Sequence, residues 1–241
     1  MNLEPTHQKL KDLRLKAMSD SLEARMERNE HRELTPEEFF ALIVEDEYHA
    51  RKSRRFNTMI KKADLRPENP CLENIRYEQQ RGFAKKDLYE FTDSKWIDNA
   101  KNVILTGPTG VGKTYLGESL IFQGCKLGFA GRKITQNLLL EETMVARATG
   151  KLIKYLKDVQ RTKVLVLDDF LINKLNSDSA SEILMFLEER VMRCPTIVTS
   201  QYPTDKWHGR ISDSTIADAI CDRLLVGTIR INLKGQSQRN K

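Results

Sequence analysis

Gly107-Pro108-Thr109-Gly110-Val111-Gly112-Lys113-Thr114 fits the pattern G-x-x-x-x-G-K-[ST] at every constrained position. Each residue type has a physical task there. Glycines let the backbone wrap closely with its N–H groups turned inward, and a following helix N-terminus adds the positive end of its dipole. Lys113 can reach the β- and γ-phosphates of a nucleotide, and the Thr114 hydroxyl can ligate Mg²⁺. At ordinary residue usage, chance yields this pattern in roughly one chain of this length per hundred. The flanking sequence lowers that further. Val103-Ile104-Leu105 reads as a short apolar strand before the loop, and Leu116, Leu120 and Ile121 mark a helix after it. ATP with Mg²⁺, bound through Gly107 to Thr114, is the expected ligand.

Further along, Val164-Leu165-Val166-Leu167 is a continuous apolar run, as a strand buried on both faces requires, and it closes on Asp168-Asp169. An acidic side chain at the end of such a strand sits beside the phosphate-binding loop. Asp168 is expected to hold Mg²⁺, and Asp169 to act as the base that polarises an attacking water. Many such enzymes have glutamate at the second position. Aspartate is one methylene shorter, so hydrolysis is expected to be slow or to depend on assembly. An Asp-Asp pair after a strand can also be a turn or a helix cap.

Ile134 lies in a weakly marked second strand, Thr196 to Thr199 form another, and a last one covers Thr228 to Leu233. A helix carrying Ile183, Leu184, Leu187 and Val191 falls between. Strands alternating with helices imply an α/β fold, here a mostly parallel five-stranded sheet between helices. Residues 1–92 read instead as all-helical and residues 93–241 as the catalytic domain. Leu10, Leu13, Ala17, Leu22 and Met26 recur at helical spacing and predict one amphipathic helix. Thr35-Pro36-Glu37-Glu38 predicts a helix start with a capping box, continuing through Phe39, Phe40 and Ile43 to about Ile60 and stopping before Pro67.

The 241 residues, with 39% hydrophobic, suffice for a real core, and the net charge of +6 leans towards polyanionic partners. Cys71, Cys125, Cys194 and Cys221 lie far apart, which supports neither a zinc site nor a disulfide scaffold. No apolar run approaches the ~18 residues that span a bilayer, and the polar N-terminus is unlike a signal peptide. A cytoplasmic protein with no membrane partner is expected.

Together with the loop and the Val164–Asp169 strand, two later segments sharpen the reading. These are Thr196-Ile197-Val198-Thr199-Ser200-Gln201-Tyr202-Pro203 and Ala217-Asp218-Ala219-Ile220-Cys221-Asp222-Arg223-Leu224. The combination resembles AAA+ ATPases of the helicase-loader type, and among these the IstB-like transposition helper proteins of bacterial insertion sequences. Trp207-His208 and Lys234-Gly235-Gln236-Ser237-Gln238-Arg239 fit the same group, so the resemblance covers nearly the whole chain. It implies an AAA+ core behind a small helical N-terminal domain and no C-terminal lid. It also implies that Gln201 senses the γ-phosphate, with Ser200 as the fallback. Arg223 matches an arginine finger supplied to the ATP of a neighbouring subunit. Arg239 is a weaker candidate for nucleotide contact. A strand-end polar residue and an ordinary surface arginine are the plain alternatives for Gln201 and Arg223. Trp207 is read as packing or a subunit contact.

Arg51, Lys52, Arg54, Arg55, Lys61 and Lys62, with Phe56 and Tyr77 nearby, form a dense basic stretch. Such charges could bind phosphates along a duplex without reading sequence, or merely complement a helix end. With the resemblance added, DNA contact is expected. Lys151, Lys154 and Lys157 are a second basic face. The implied activity is ATP hydrolysis by a helper that assembles on double-stranded DNA, remodels it, and recruits or stimulates a cognate transposase. A replicative helicase loader shares the same motifs. A small-molecule kinase would also use the loop, and a DNA scaffold could bind ATP with little hydrolysis.

Overall fold

The structure, a computed structural model, describes residues 3–66, 70–75 and 82–238. Pro67, Tyr77 and Arg239 lie outside the described residues. The chain divides into two compact units, Met1–Thr58 and Met59–Lys241, whereas the sequence pattern changes near residue 93.

In the first unit, α1 (Glu4–Asp12) and α2 (Lys16–Glu27) precede the start of α3 (Pro36–Ala63). The single amphipathic helix expected around Leu10 to Met26 is therefore two. The break falls at Leu13-Arg14, where Arg14 turns into the left-handed region at φ 60° and the Leu13 side chain faces solvent. The predicted capping box is present. Thr35 N–H donates to Glu38 Oε2 at 2.9 Å, and Glu38 N–H donates to Thr35 Oγ1 at 3.2 Å. Polar contacts tie α2 to α3. Arg25 donates to Asp46 at 2.9 Å and to Glu30 at 2.7 Å, and Met18 N–H donates to the buried Glu47 at 2.9 Å.

The second unit is built on five strands: β1 (Val103–Thr106), β2 (Gly131–Thr135), β3 (Val164–Asp168), β4 (Thr196–Ser200) and β5 (Ile229–Asn232). Between them run α5 (Lys113–Lys126), α6 (Gln136–Ala148), α7 (Leu152–Arg161), α8 (Ser177–Glu188) and α9 (Ser214–Leu225), with the short α4 (Lys95–Asp98) ahead of β1. All pairings are parallel, in the order β2-β3-β4-β1-β5. Helices cover both faces because β1, β3 and β4 are buried throughout and can expose neither. β2 lies at one edge, so Arg132 and Lys133 keep partial access to water, which explains its weak apolar signal. Val191, expected inside a helix, follows α8 in a turn.

Among the described residues, no helix is long and apolar enough to cross a membrane. Parallel strands all end on one edge. β1, β3 and β4 therefore deliver the phosphate-binding loop, Asp168 and Ser200 to a common rim.

Candidate nucleotide site

The loop leaves β1 at Thr106 and enters α5 at Lys113, so the sequence order strand, loop, helix is the observed one. Gly107 sits at φ +142°, and a Cβ there would lie 2.1 Å from the Leu233 carbonyl oxygen. Only glycine fits this close approach. The Val111 side chain is buried. Lys113 is only 7% exposed, and its Nζ donates to the Gly107 and Pro108 carbonyl oxygens, each at 2.8 Å. The ammonium is thus held inside the curl of the loop.

At the start of α5, the Thr114 hydroxyl donates to Asp168 Oδ1 at 3.1 Å. Asp168 is buried at the tip of β3 and also accepts from the Thr199 hydroxyl of β4. Thr199 Oγ1 in turn accepts the Asp169 amide at 3.1 Å, with Asp169 in the left-handed region at φ 55°. Aspartate tolerates that conformation better than most residues. The turn it makes ends β3 at Asp168. Thr199 was not singled out from the sequence. A threonine inside a buried strand carries no special signal, and only strand pairing brings it to the two carboxylates.

The residues fit Mg²⁺. Thr114 and Asp168 supply hard oxygen donors side by side. Among the described residues, no group of three His, Cys, Asp or Glu could hold a metal ion. Further ligands would have to be phosphate and water oxygens, as Mg²⁺ prefers.

Gln201 lines a cavity of about 540 Å³ with Thr106, Gly107, Pro108, Thr109 and Asn232. It therefore stands beside the first half of the loop. Ser200 is fully buried, and its hydroxyl donates to the Phe170 carbonyl at 2.8 Å, fastening the turn after β3. Trp207 packs edge-to-face on Phe170 at 5.0 Å, and its indole N–H donates to the Tyr202 carbonyl at 3.0 Å. Arg210 stacks 3.8 Å from the Tyr202 ring and donates to the Leu171 carbonyl at 2.7 Å. These contacts lock the loops after β3 and β4 to each other.

Arg223 is elsewhere. Its carbonyl accepts from Asn102, the residue before β1, at 2.9 Å, so it lies at the edge where the strands begin. A four-residue strand separates it from the loop by about 13 Å. Its guanidinium pairs with Glu188 at 2.9 Å.

Arg51, Lys52, Arg54, Arg55, Lys61 and Lys62 all lie on α3 and are exposed. Arg51 donates to Glu47 at 2.7 Å and to the Arg14 carbonyl at 3.0 Å, and Arg54 lies 3.5 Å from Glu47. Part of this charge is therefore balanced within the first unit. Lys154 and Lys157 project from α7, with Lys151 at its N-cap, all exposed.

A model of the family described as IstB-like ATP binding protein matches residues 8–241. The chain belongs to this family. An IstB-like relative in Sinorhizobium fredii, named as insertion sequence ATP-binding protein y4uH, is 32% identical, covering 98% of this chain and 94% of that protein. Another, in Pseudomonas aeruginosa and named as an insertion sequence IS21 ATP-binding protein, is 30% identical over 96% of this chain and 87% of that one. The IstB-like fold is shared more widely. The DnaC helicase loader superposes with a TM-score of 0.57 at 19% identity, covering 69% of this chain and 97% of that one. DnaA of Aquifex aeolicus superposes with a TM-score of 0.59 at 17% identity, covering 73% and 53%. The expected α/β fold, a parallel five-stranded sheet between helices, is thereby found.

Proposed function

We propose that this protein is an ATP-hydrolysing, DNA-binding helper of transposition. Loaded with ATP, it assembles on double-stranded target DNA, remodels it, and recruits or stimulates the element's transposase. The observation that carries the reading is the facing pair Thr114 and Asp168, 3.1 Å apart on the rim that holds Lys113.

In this reading the loop amides and Lys113 grip the triphosphate. Mg²⁺, held by Thr114 and Asp168, would supply charge neutralisation on the phosphate oxygens. Asp169 accepts a proton from the attacking water as the bond between the γ-phosphorus and the bridging oxygen breaks. Gln201 orients that water from the cavity wall. Arg223 cannot reach its own loop across the sheet, so it serves the nucleotide of a neighbouring copy, which makes hydrolysis depend on assembly. The basic residues of α3 contact backbone phosphates, and binding weakens as salt rises. The names of the relatives place them in insertion sequences, and this favours transposition. The helicase-loader reading has fold likeness alone.

Titration of ATP in magnesium buffer tests the core of the proposal. Saturable binding is expected, with loss on Lys113→Ala and turnover raised by duplex DNA. No saturable affinity, or affinity untouched by the substitution, overturns it. Sedimentation with duplex DNA and a non-hydrolysable analogue tests assembly, and an unchanged monomer removes that part. Retention of a transposase by the tagged protein tests the partner.

A further inference from the structure

After β5 the chain turns back across the phosphate-binding loop. Leu233 N–H donates to the Thr106 carbonyl at 2.7 Å, and Gln238 N–H donates to the Gly110 carbonyl at 2.9 Å. Between these two bonds, residues Lys234 to Ser237 run exposed. A Cβ at Gly110 would lie 2.3 Å from Ser237 Oγ, and Gly110 itself is at φ +85°. The G-x-x-x-x-G-K-[ST] pattern leaves position 110 unconstrained. The crossing segment and the left-handed backbone are what require glycine there.

The bond to Gly110 has a directional consequence. In a planar trans peptide the C=O and the next N–H point in opposite directions. With the Gly110 oxygen held by Gln238, the Val111 N–H is turned away from the crossing segment. A phosphate-binding loop works by aiming such amides at its ligand.

We propose that Lys234–Gln238 is a strap belonging to the nucleotide site, with the Gln238 backbone N–H as a positioning group that fixes the Gly110–Val111 peptide for phosphate binding. Bound nucleotide, by linkage, holds the strap in place. The inference rests on the reading of the loop as an ATP site.

The test uses the full chain. Gln238→Pro removes the backbone donor and leaves the loop sequence intact, while Gln238→Ala keeps the donor. Loss of one such bond is expected to raise the Kd for ATP with Mg²⁺ about five- to tenfold in the proline variant. The alanine variant restores binding to within about twofold of the parent. KM for ATP should rise with little change in kcat. Equal binding by the proline variant, or equal loss in both, overturns the proposal. Cleavage by trypsin after the exposed Lys234 gives a second readout on the unsubstituted protein, independent of how the variants fold. Saturating ATP should slow that cut, and should not do so in Lys113→Ala. A cut indifferent to saturating ATP also overturns the strap. Absence of ATP binding by the unsubstituted protein would instead overturn the reading of the loop, so the two failures are distinguishable.

Discussion

The Thr199 hydroxyl bridges two neighbouring carboxylate residues, donating to the Asp168 carboxylate while accepting the Asp169 amide at 3.1 Å. One side chain on β4 thus sets both the direction of the carboxylate on β3 and the start of the turn that carries the next one. Thr199→Val keeps the shape and removes both bonds. Hydrogen bonds to charged groups are worth about 1.5–3 kcal/mol. Turnover of ATP should fall about ten- to hundredfold, with nucleotide affinity little changed, and Thr199→Ser should recover most of the loss. Steady-state kinetics beside a binding titration separates the two effects. A valine variant with full turnover would deny Thr199 this role.

Arg223 and Lys113 lie at opposite edges of the sheet. Arg223→Ala should bind ATP normally and lose about a thousandfold or more in turnover, as loss of an arginine finger does. Lys113→Ala should lose binding. Mixing the two inactive variants on duplex DNA should restore part of the activity, because some junctions then pair an intact loop with an intact arginine. No recovery at any mixing ratio would count against a role in trans.

Arg190 is a structural hub. It is fully buried and donates to the carbonyls of Val159, Thr162 and Pro195, each at 2.8 Å, and to Thr196 Oγ1 at 3.0 Å. Burial pushes its pKa down to about 10. Arg190→Met fills much of the space yet leaves these acceptors unpaired, at an expected cost of about 3–5 kcal/mol. The midpoint of thermal unfolding should drop by about 10 °C.

The first unit should be acid-sensitive through Asp46. The Ser21 hydroxyl, followed by the Arg25 guanidinium, holds its carboxyl below the usual carboxylate range. A depressed folded-state pKa gives stability that is present above the unfolded value, about 3.9, and is lost as pH falls through the folded one. The loss therefore belongs below about pH 4. Asp46 is partly exposed, so its share is under about 1 kcal/mol. Asp46→Asn should lower stability at neutral pH and flatten the acid limb, as followed by circular dichroism.

The features legible in the sequence were those with a local cause. The loop pattern, the capping box at Thr35 and the buried run before Asp168 each need certain residue types wherever they occur. What escaped depends on partners remote in sequence or on a single backbone angle. The break at Arg14 has no glycine or proline to announce it, and the apolar spacing continues straight through. Thr199 and the strap acquire meaning only when β3, β4 and β1 lie side by side. Phe40 and Ile43 both belong to the helix expected after Pro36, and which of them is covered was not legible: Ile43 is buried while Phe40 remains 61% exposed.

If Arg223 serves a neighbour's nucleotide as proposed, its separation from its own loop also gives any row of copies a direction. Under the proposed service in trans, each molecule has an end that donates a cation and an end that receives one, so contacts between copies would be head-to-tail. An open row leaves one terminal nucleotide unserved, and activity per molecule climbs towards a plateau as rows lengthen. A closed circle leaves none unserved, and its specific activity is independent of concentration once closure is complete. Counting hydrolysed nucleotides per copy across a dilution series would therefore distinguish the two arrangements by kinetics alone.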